Sequence, residues 1–260
     1  MDASARDRIV LKTPAEIARM RAACDVVREV LDDLVRAAVP GVSTAELDRL
    51  ARARTRERRA DPAFLGYHGF PAALCVSLND EVVHGIPSPA RRLAEGDVVG
   101  LDYGVVLDGW YGDAARTVAV GSVSAAAARL LDVGREALAR AVAAVRPGAT
   151  TGDLGAAVQR YVESEGCSVV RDFVGHGIGR RLHELPHLPN FGTPGAGAKL
   201  VPGMVIAIEP MVNAGGAEVS QLDDGWTAVT ADGSLSAHFE HTVAVTENGP
   251  EILTLAAGRP

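Results

Sequence analysis

The sequence predicts an α+β fold made of two related halves, in which helices cover one face of an antiparallel sheet. Three observations predict it. The chain repeats itself at a constant offset, each repeat opens with two amphipathic helices, and each helix pair precedes β-branched runs with Asp-Gly or Gly-Gly turns. Because no low-complexity linker separates the repeats, we expect one domain over residues 1–260.

The internal repeat has an offset of 107 residues. Segment 93–102 (LAEGDVVGLD) matches segment 200–209 (LVPGMVIAIE), and segment 40–47 (PGVSTAEL) matches segment 147–154 (PGATTGDL). A constant shift across separated blocks is the mark of an internal repeat. We therefore predict homologous halves over about residues 14–121 and 123–246.

Helix signals open each half. Thr13 with Glu16 and Ser43 with Glu46 predict capping boxes, and apolar residues at helical spacing follow the first of them. The second half repeats this order after residue 123. The predicted helices start at Pro14, run from Ser43 to a point before Pro62, and cover about 124–145 and 151–165.

Two carboxylates stand where the first predicted hairpin should be apolar. Asp102 follows the apolar run VVGL, although a buried carboxylate is costly unless it is paired or bound to a metal. Asp108-Gly109 is a hairpin signal that places Asp102 opposite Ala115. Asp113 is then a diagonal neighbour of Asp102 on the same face, so both carboxylates can reach a common ion.

The second half carries an equivalent acidic pair. Glu209 follows the run VIAI, and we expect Glu209 and Glu240 to end comparable strands across a longer excursion. Pairs from two related halves should meet near a pseudo-twofold axis. Four such carboxylates repel one another and require counter-charge, which divalent cations supply.

His176, flanked by glycines in VGHGIG, adds an imidazole that we expect to be accessible. A lone histidine is more often a satisfied core residue, but the companion carboxylates favour a metal ligand here. Mixed oxygen and nitrogen ligands suit Mn, Fe, Co or Zn better than Ca. The sequence therefore predicts a metal site.

Composition excludes several classes of protein. The chain has 26 Lys and Arg against 33 Asp and Glu, a net charge of −7, and 47% apolar residues. A disordered chain would be less apolar, and a nucleic-acid-binding module would be basic. The start of the chain has no signal-peptide pattern, and no run approaches a membrane span. Three scattered cysteines fit reduced thiols, so we expect a cytoplasmic protein without membrane or stable nucleic-acid binding.

Several segments together resemble the type I methionine aminopeptidase family. The resemblance rests on VVHGIP (82–87), LDYG with GDAART (from 101 and 112), GHGIGRRLHELP (175–186), IEPM (208–211) and FEHTVAVT (239–246), and it spans about residues 9–250. It implies the pita-bread fold, in which pseudo-twofold-related halves place a curved antiparallel sheet and its helices around a dinuclear metal site.

The resemblance also implies roles for particular residues. Two divalent ions, chosen among Co, Mn, Fe, Zn and Ni, would be bridged by Asp113 and Glu240, and a bridging water or hydroxide would attack the first peptide carbonyl. Glu209 would act as general base and acid, His183 would contact the developing oxyanion, and His84 would contact the scissile amide nitrogen. The implied metal ligands are Asp102, Asp113, His176, Glu209 and Glu240.

The implied substrate is a nascent polypeptide whose N-terminal methionine precedes a small residue. Its side chain would contact Tyr67, Phe70, Cys75 and Trp226, beside His84 and His183. This chain departs from the family pattern at Phe64, where relatives often have a small residue or cysteine, and at Leu182, where an aromatic residue is frequent. We expect a monomer.

Alternatives remain for the activity and for one basic segment. A proline-directed peptidase of the same fold, such as aminopeptidase P or prolidase, is the enzymatic alternative, and a binding protein that has lost the ligands is the other. The arginine run between residues 52 and 59 predicts a solvated helix face, with a transient ribosome contact as the alternative. Metal analysis with a peptide-cleavage assay separates a methionine aminopeptidase from a binding protein.

Overall fold

The computed structural model describes residues 8–256, in which four long helices pack on antiparallel strands. The helices are α1 (Pro14–Ala37), α2 (Thr44–Glu57), α3 (Ala125–Ala144) and α4 (Thr151–Ser164). The helices predicted near 124–145 and 151–165 are confirmed to within one residue at each end. Within 8–256, no helix is both long and apolar enough to cross a membrane.

Capping boxes fix where three of these helices begin. Glu16 N donates to the Thr13 hydroxyl while Thr13 N donates to the Glu16 carboxylate at 2.9 Å, which satisfies two of the donors that a helix start leaves free. Ser43 and Glu46 repeat this arrangement at α2, as predicted. Thr150 and Asp153 do so at α4.

Fifteen strands form within the described residues, and every strand pair is antiparallel. They are β1 (Asp61–Pro62), β2 (Cys75–Leu78), β3 (Glu81–Val83), β4 (Val98–Leu107), β5 (Trp110–Ala119), β6 (Ser168–Val169), β7 (Gly175–Gly177), β8 (Glu184–Leu188), β9 (Val205–Ile208), β10 (Met211–Asn213), β11 (Val219–Gln221), β12 (Ala228–Thr230), β13 (Ser236–His238), β14 (His241–Thr246) and β15 (Gly249–Ile252).

The strands are divided among four hydrogen-bonded sheets. The first half contributes the order β1-β4-β2 with β5 on β4, and the second half contributes the five-stranded order β15-β14-β9-β7-β8. Two three-stranded sheets, β13-β10-β6 and β11-β12-β3, complete the set. The apolar faces of α1 and α2 pack on the first sheet, and those of α3 and α4 pack on the second.

The β4–β5 hairpin has the register that the sequence predicts. Asp108 and Gly109 both have positive φ, 50° and 74°, as a two-residue turn between twisted strands requires. Asp102 therefore pairs with Ala115, and Asp113 pairs with Gly104. The two aspartates lie on one face of the hairpin.

The acidic pair of the second half is arranged differently from the expectation. Glu209 directly follows β9, but Glu240 lies between β13 and β14 and so precedes a strand instead of ending one. His241 pairs with Ile208, which brings Glu209 and Glu240 to the same end of the β9–β14 ladder. The excursion from β10 to β13 makes this possible because it returns the chain to that end.

Main-chain contacts recur at the offset of 107 residues. The bridge between Ser43 and Arg92 has its counterpart between Thr150 and Lys199. Hydrogen bonds recur in the same way: Gly41 N to Leu93 O at 2.7 Å and Gly148 N to Leu200 O at 2.9 Å, Thr44 N to Arg91 O at 2.8 Å and Thr151 N to Ala198 O at 2.9 Å. These equivalences are those expected of two repeats over 14–121 and 123–246, and one domain over residues 1–260 stays a prediction.

Candidate metal centre

A single cavity of about 240 Å³ brings the predicted site residues together. It opens between the two halves, where β4 and β5 meet the ends of β7, β9 and β14. Its lining includes all eleven of those residues: Tyr67, Phe70, Cys75, His84, Asp102, Asp113, His176, His183, Glu209, Trp226 and Glu240. Phe64, His68 and Leu182 also line it.

Three of the predicted ligands form a compact set. One side-chain atom each from Asp113, His176 and Glu240 lies within 4.8 Å of the other two, and all three residues are buried. Asp102 and Glu209 line the same cavity, and Glu209 Oε1 is 3.4 Å from His176 Nε2. The acidic pairs of the two halves therefore meet around one imidazole.

The backbone of the two halves is joined behind these carboxylates. Asp113 N donates to Thr242 Oγ1 at 3.2 Å, and that hydroxyl donates to Asp113 O at 2.7 Å. Glu240 N donates to Ala115 O at 3.0 Å. Asn190 Nδ2 donates to Glu209 O at 3.0 Å. The acidic residues are thus held by main-chain contacts while their carboxylates point into the cavity.

The four carboxylates lie close together in the cavity. Burial raises the pKa of Asp102 to about 7. Burial and the neighbouring carboxylates raise the pKa values of Asp113, Glu209 and Glu240 well above the usual range. Within residues 8–256, one buried oxygen each of Asp102, Asp113 and Glu240 has no hydrogen-bond partner. Such oxygens fit a divalent cation, which would supply both the charge and the missing contacts.

His176 is buried, with 5% of its surface exposed, whereas the flanking glycines had predicted an accessible ring. Burial lowers its pKa to about 3, so the ring is neutral. Its Nδ1 lies 2.9 Å from Gly177 O, and because a carbonyl only accepts, Nδ1 carries the proton. The Nε2 lone pair then faces Glu209 Oε1, and two acceptors at 3.4 Å fit a cation between them.

The remaining two predicted histidines lie beside this centre. His183 Nδ1 is 2.7 Å from the Tyr67 hydroxyl, and its ring centroid is 4.3 Å from that of His176. His84 has a positive φ of 62° and packs edge-on against Phe173 at 5.4 Å. Burial lowers the pKa of both rings, to about 4 for His183, so both are neutral near pH 7.

Aromatic side chains form the apolar wall of the cavity. Phe70 and Trp226 pack edge-to-face with centroids 5.1 Å apart. Cys75 pairs with Asp102 across β2 and β4, and it lines the same cavity. Phe64 and Leu182, the two departures from the family pattern, both lie in the wall.

Sequence reasoning missed two histidines near the centre. His68 lines the cavity, and its only signal is its place beside Tyr67 in a segment bounded by Gly66 and Gly69. His238 is buried next to Glu209 and directly precedes the quoted motif FEHTVAVT. Neither has a spacing that distinguishes it from a core or loop histidine.

Comparison with known proteins gives a consistent picture. Residues 18–247 match the model of metallopeptidase family M24. The chain is 52% identical over 247 residues to the methionine aminopeptidase of Clostridium acetobutylicum, covering 95% of this chain and 99% of that one. It is 46% identical over 248 residues to the methionine aminopeptidase of Escherichia coli, covering 95% and 94%.

Solved structures of related enzymes have the same fold as this chain. The structure of methionine aminopeptidase from Thermotoga maritima matches with a TM-score of 0.94 and 47% identity, covering 96% of this chain and all of that one. Prolidase from Pyrococcus furiosus matches with a TM-score of 0.80 and 25% identity, covering 98% of this chain and 68% of that one. These likenesses confirm the predicted pita-bread fold.

We predict that the metal-free wild-type protein loses stability relative to Asp102→Asn as the pH rises from about 4 to 7. An unfolded aspartate titrates near pH 4, but burial raises the folded pKa of Asp102 to about 7, so the stability that its protonated form contributes at low pH is lost through this window. The buried histidines have lowered pKa values and act in the opposite direction below about pH 6.5, but they are common to both proteins.

Urea unfolding of both proteins in chelator measures this effect, with a difference in slope of up to about 1.4 kcal/mol per pH unit. A difference in stability between the two proteins that stays constant over the window would contradict the account of uncompensated carboxylates.

We predict that Glu240→Gln and Asp113→Asn each weaken Co²⁺ binding by more than about 100-fold, because each removes a charge from the compact set. Calorimetric titration of the metal-free variants measures this. Glu163→Gln, at an exposed position on α4, is the matched control and should leave the affinity unchanged. An affinity within about threefold of wild type in both cavity variants would rule these residues out as ligands.

Proposed function

The chain belongs to metallopeptidase family M24, and we propose that it is a methionine aminopeptidase, which hydrolyses the bond after an N-terminal methionine when the next residue is small. The resemblance found in the sequence is confirmed by near-full-length relatives of that name. The observation that carries the proposal is the cavity itself, where an apolar aromatic wall faces four carboxylates and a neutral imidazole.

The donor set fits two divalent ions, drawn from Co, Mn, Fe, Zn or Ni. The residues that would hold them are Asp102, Asp113, His176, Glu209 and Glu240. When bound, such ions polarise a carbonyl and lower the pKa of water. The unpartnered oxygens and the raised carboxylate pKa values support this assignment.

Glu209 is suited to move the proton of the reaction. Its carboxylate lines the cavity beside the other ligand-type residues, where a general base must lie to reach water and substrate. It would take a proton from water and return it to the departing amine. Its main chain is fixed by Asn190, so the carboxylate keeps its place during both transfers.

His183 would donate a hydrogen bond to the carbonyl oxygen of the substrate. That role requires a proton on Nε2, and Tyr67 provides for it: a hydroxyl that donates to Nδ1 leaves the single proton of the neutral ring on Nε2. His84 would contact the scissile amide nitrogen from the Phe173 side of the cavity. Both groups touch substrate without holding a charge.

The apolar wall of the cavity would explain selectivity for a methionine side chain. Tyr67, Phe70, Cys75 and Trp226 offer an apolar pocket, and a thioether makes favourable contacts with aromatic rings. Phe64 and Leu182 would give that pocket a different shape from the one that the family pattern implies. A free N-terminal amine would be attracted by the carboxylates at the end of the pocket, so a chain end is preferred over an internal bond.

The proline-directed alternative shares the fold at lower sequence identity. The alternative of a binding protein that has lost its ligands is disfavoured, because all five ligand-type residues line the cavity. The hypothesis of a methionine aminopeptidase therefore has the stronger support, from both the relatives and the aromatic wall.

We further propose a cytoplasmic monomer that acts on nascent chains. For the arginine run, ion pairs favour a solvated helix face: Arg52 with Asp48 at 2.7 Å, Arg54 with Asp33 at 2.8 Å and Arg58 with Glu29 at 2.5 Å. Arg56 and Arg59 are exposed and are the members of the run available for a transient ribosome contact.

We predict that His183→Ala keeps Co²⁺ affinity within about threefold but lowers kcat by about 10²–10³, since it removes one hydrogen bond to the transition state. Tyr67→Phe should lower kcat less, because the ring stays but loses the partner that fixes its tautomer. Steady-state kinetics and metal titration on the same samples measure both. A loss of metal affinity that matches the loss of rate would make His183 a ligand instead.

We predict cleavage of Met-Gly-Ser and Met-Ala-Ser but weak cleavage of Met-Leu-Ser and Met-Asp-Ser. A bulky second side chain would displace the scissile carbonyl, and a displacement of about 1 Å can cost about 10²-fold in rate. An acidic one would also be repelled by the carboxylates. Equal turnover of Met-Ala-Ser and Met-Leu-Ser would defeat the small-residue rule, and efficient cleavage of Leu-Ala-Ser would defeat methionine selectivity.

A further inference from the structure

A buried histidine outside the predicted site lies directly behind Glu209. His238 is the last residue of β13 and is 4% exposed. Its Nε2 is 3.8 Å from Glu209 Oε2, and no hydrogen-bond partner for this atom exists within residues 8–256. A buried polar atom that is aimed at a ligand-type carboxylate, yet is absent from the cavity lining, needs an explanation.

The main chain of His238 is held on two sides. His238 N donates to Thr117 Oγ1 at 2.8 Å, and the same hydroxyl donates to His238 O at 2.7 Å. Across the ladder, His238 pairs with Met211 of β10, two residues beyond Glu209. Both β5 and β10 therefore hold the main chain of His238 close to Glu209, while the imidazole and the carboxylate can still move by side-chain rotation.

Glu209 lies between two imidazoles. Its Oε1 faces His176 Nε2 at 3.4 Å on the cavity side, and its Oε2 faces His238 Nε2 at 3.8 Å on the other side. A carboxylate can rotate about its last bond, and rotation would turn Oε1 away from the place where a cation fits. A donor on Oε2 would prevent that rotation. The distance closes to a hydrogen bond of about 3.0 Å with a movement of less than about 1 Å.

We propose that His238 is a positioning residue whose Nε2–H donates a hydrogen bond to Glu209 Oε2 and so orients Oε1 toward the metal centre. This rests on the proposed metal role of Glu209. Ligating carboxylates are generally held by such outer hydrogen bonds, and removing one costs about 10–100-fold in metal affinity or activity. His238 touches neither substrate nor the reacting atoms.

Three variants of the full chain separate the hydrogen bond from simple space filling. His238→Gln places an amide N–H at the reach of imidazole Nε2, His238→Asn carries the same amide on a shorter side chain, and His238→Leu fills similar volume without a donor. Co²⁺ binding to each metal-free protein is measured by calorimetry. We expect His238→Gln to bind within about threefold of wild type, and the other two to bind about 10–100-fold more weakly.

Nitrogen-15 spectra of histidine-labelled protein give a readout that a merely structural role would not move. We expect the proton of His238 on Nε2 in the metal-free protein and after loading with Zn²⁺. An unprotonated Nε2, or a Zn²⁺-induced shift typical of ligation at that atom, would overturn the proposal. If His238→Asn or His238→Leu fails to fold, as urea unfolding will show, the spectra and His238→Gln still decide the matter.

Two further outcomes of the affinity measurements would contradict the proposal for His238. Wild-type affinity in His238→Leu, or equal loss in His238→Gln and His238→Leu, contradicts a role for the hydrogen bond. Failure of the wild-type enzyme to cleave Met-Ala-Ser would instead contradict the proposed function, and the Co²⁺ affinities would still test how Glu209 is held.

Discussion

Electrostatic repulsion among Asp102, Asp113, Glu209 and Glu240 opposes folding of the metal-free chain, because all four carboxylates lie in one cavity with little access to water. Their raised pKa values express this cost. The geometry shows the same cost, because carboxylate oxygens lack hydrogen-bond partners and the lone pair of His176 faces Glu209. An arrangement of this kind favours binding of a divalent cation, because the ion relieves the repulsion that the fold imposes on the carboxylates.

The fold supplies the rigidity that such a site needs. Each half contributes one acidic pair, and the main-chain bonds of Asp113 with Thr242 and of Glu240 with Ala115 join the halves behind the carboxylates. Helix α1 packs on β5 so closely that a Cβ at Gly112 would lie 2.9 Å from the backbone of Cys24. The residue next to Gly112 is Asp113, so helix packing and carboxylate placement are fixed together.

Local features of the sequence predicted much of this structure. The caps at Thr13 and Ser43 and the Asp108-Gly109 turn depend on neighbours within a few residues, so the helices and the β4–β5 register followed from the sequence. The place of Glu240 before β14 did not, because it depends on where a long excursion returns. His238 and the Tyr67–His183 contact also escaped prediction, since each joins residues that are distant in the chain. His176 was expected to be accessible because flanking glycines report local freedom, not burial in the assembled cavity.

The central claim is that the cavity between the two halves is a site for divalent cations, whose positive charge compensates its four carboxylates. Anomalous diffraction from crystals of the protein loaded with Co²⁺ tests it most directly, because the signal locates the ions without assumption. The account predicts two peaks inside the cavity, both within ligand distance of Asp113 and Glu240, with Glu209 and His176 sharing one of them. Peaks confined to the protein surface, or a loaded cavity in which these carboxylates contact no ion, would contradict it.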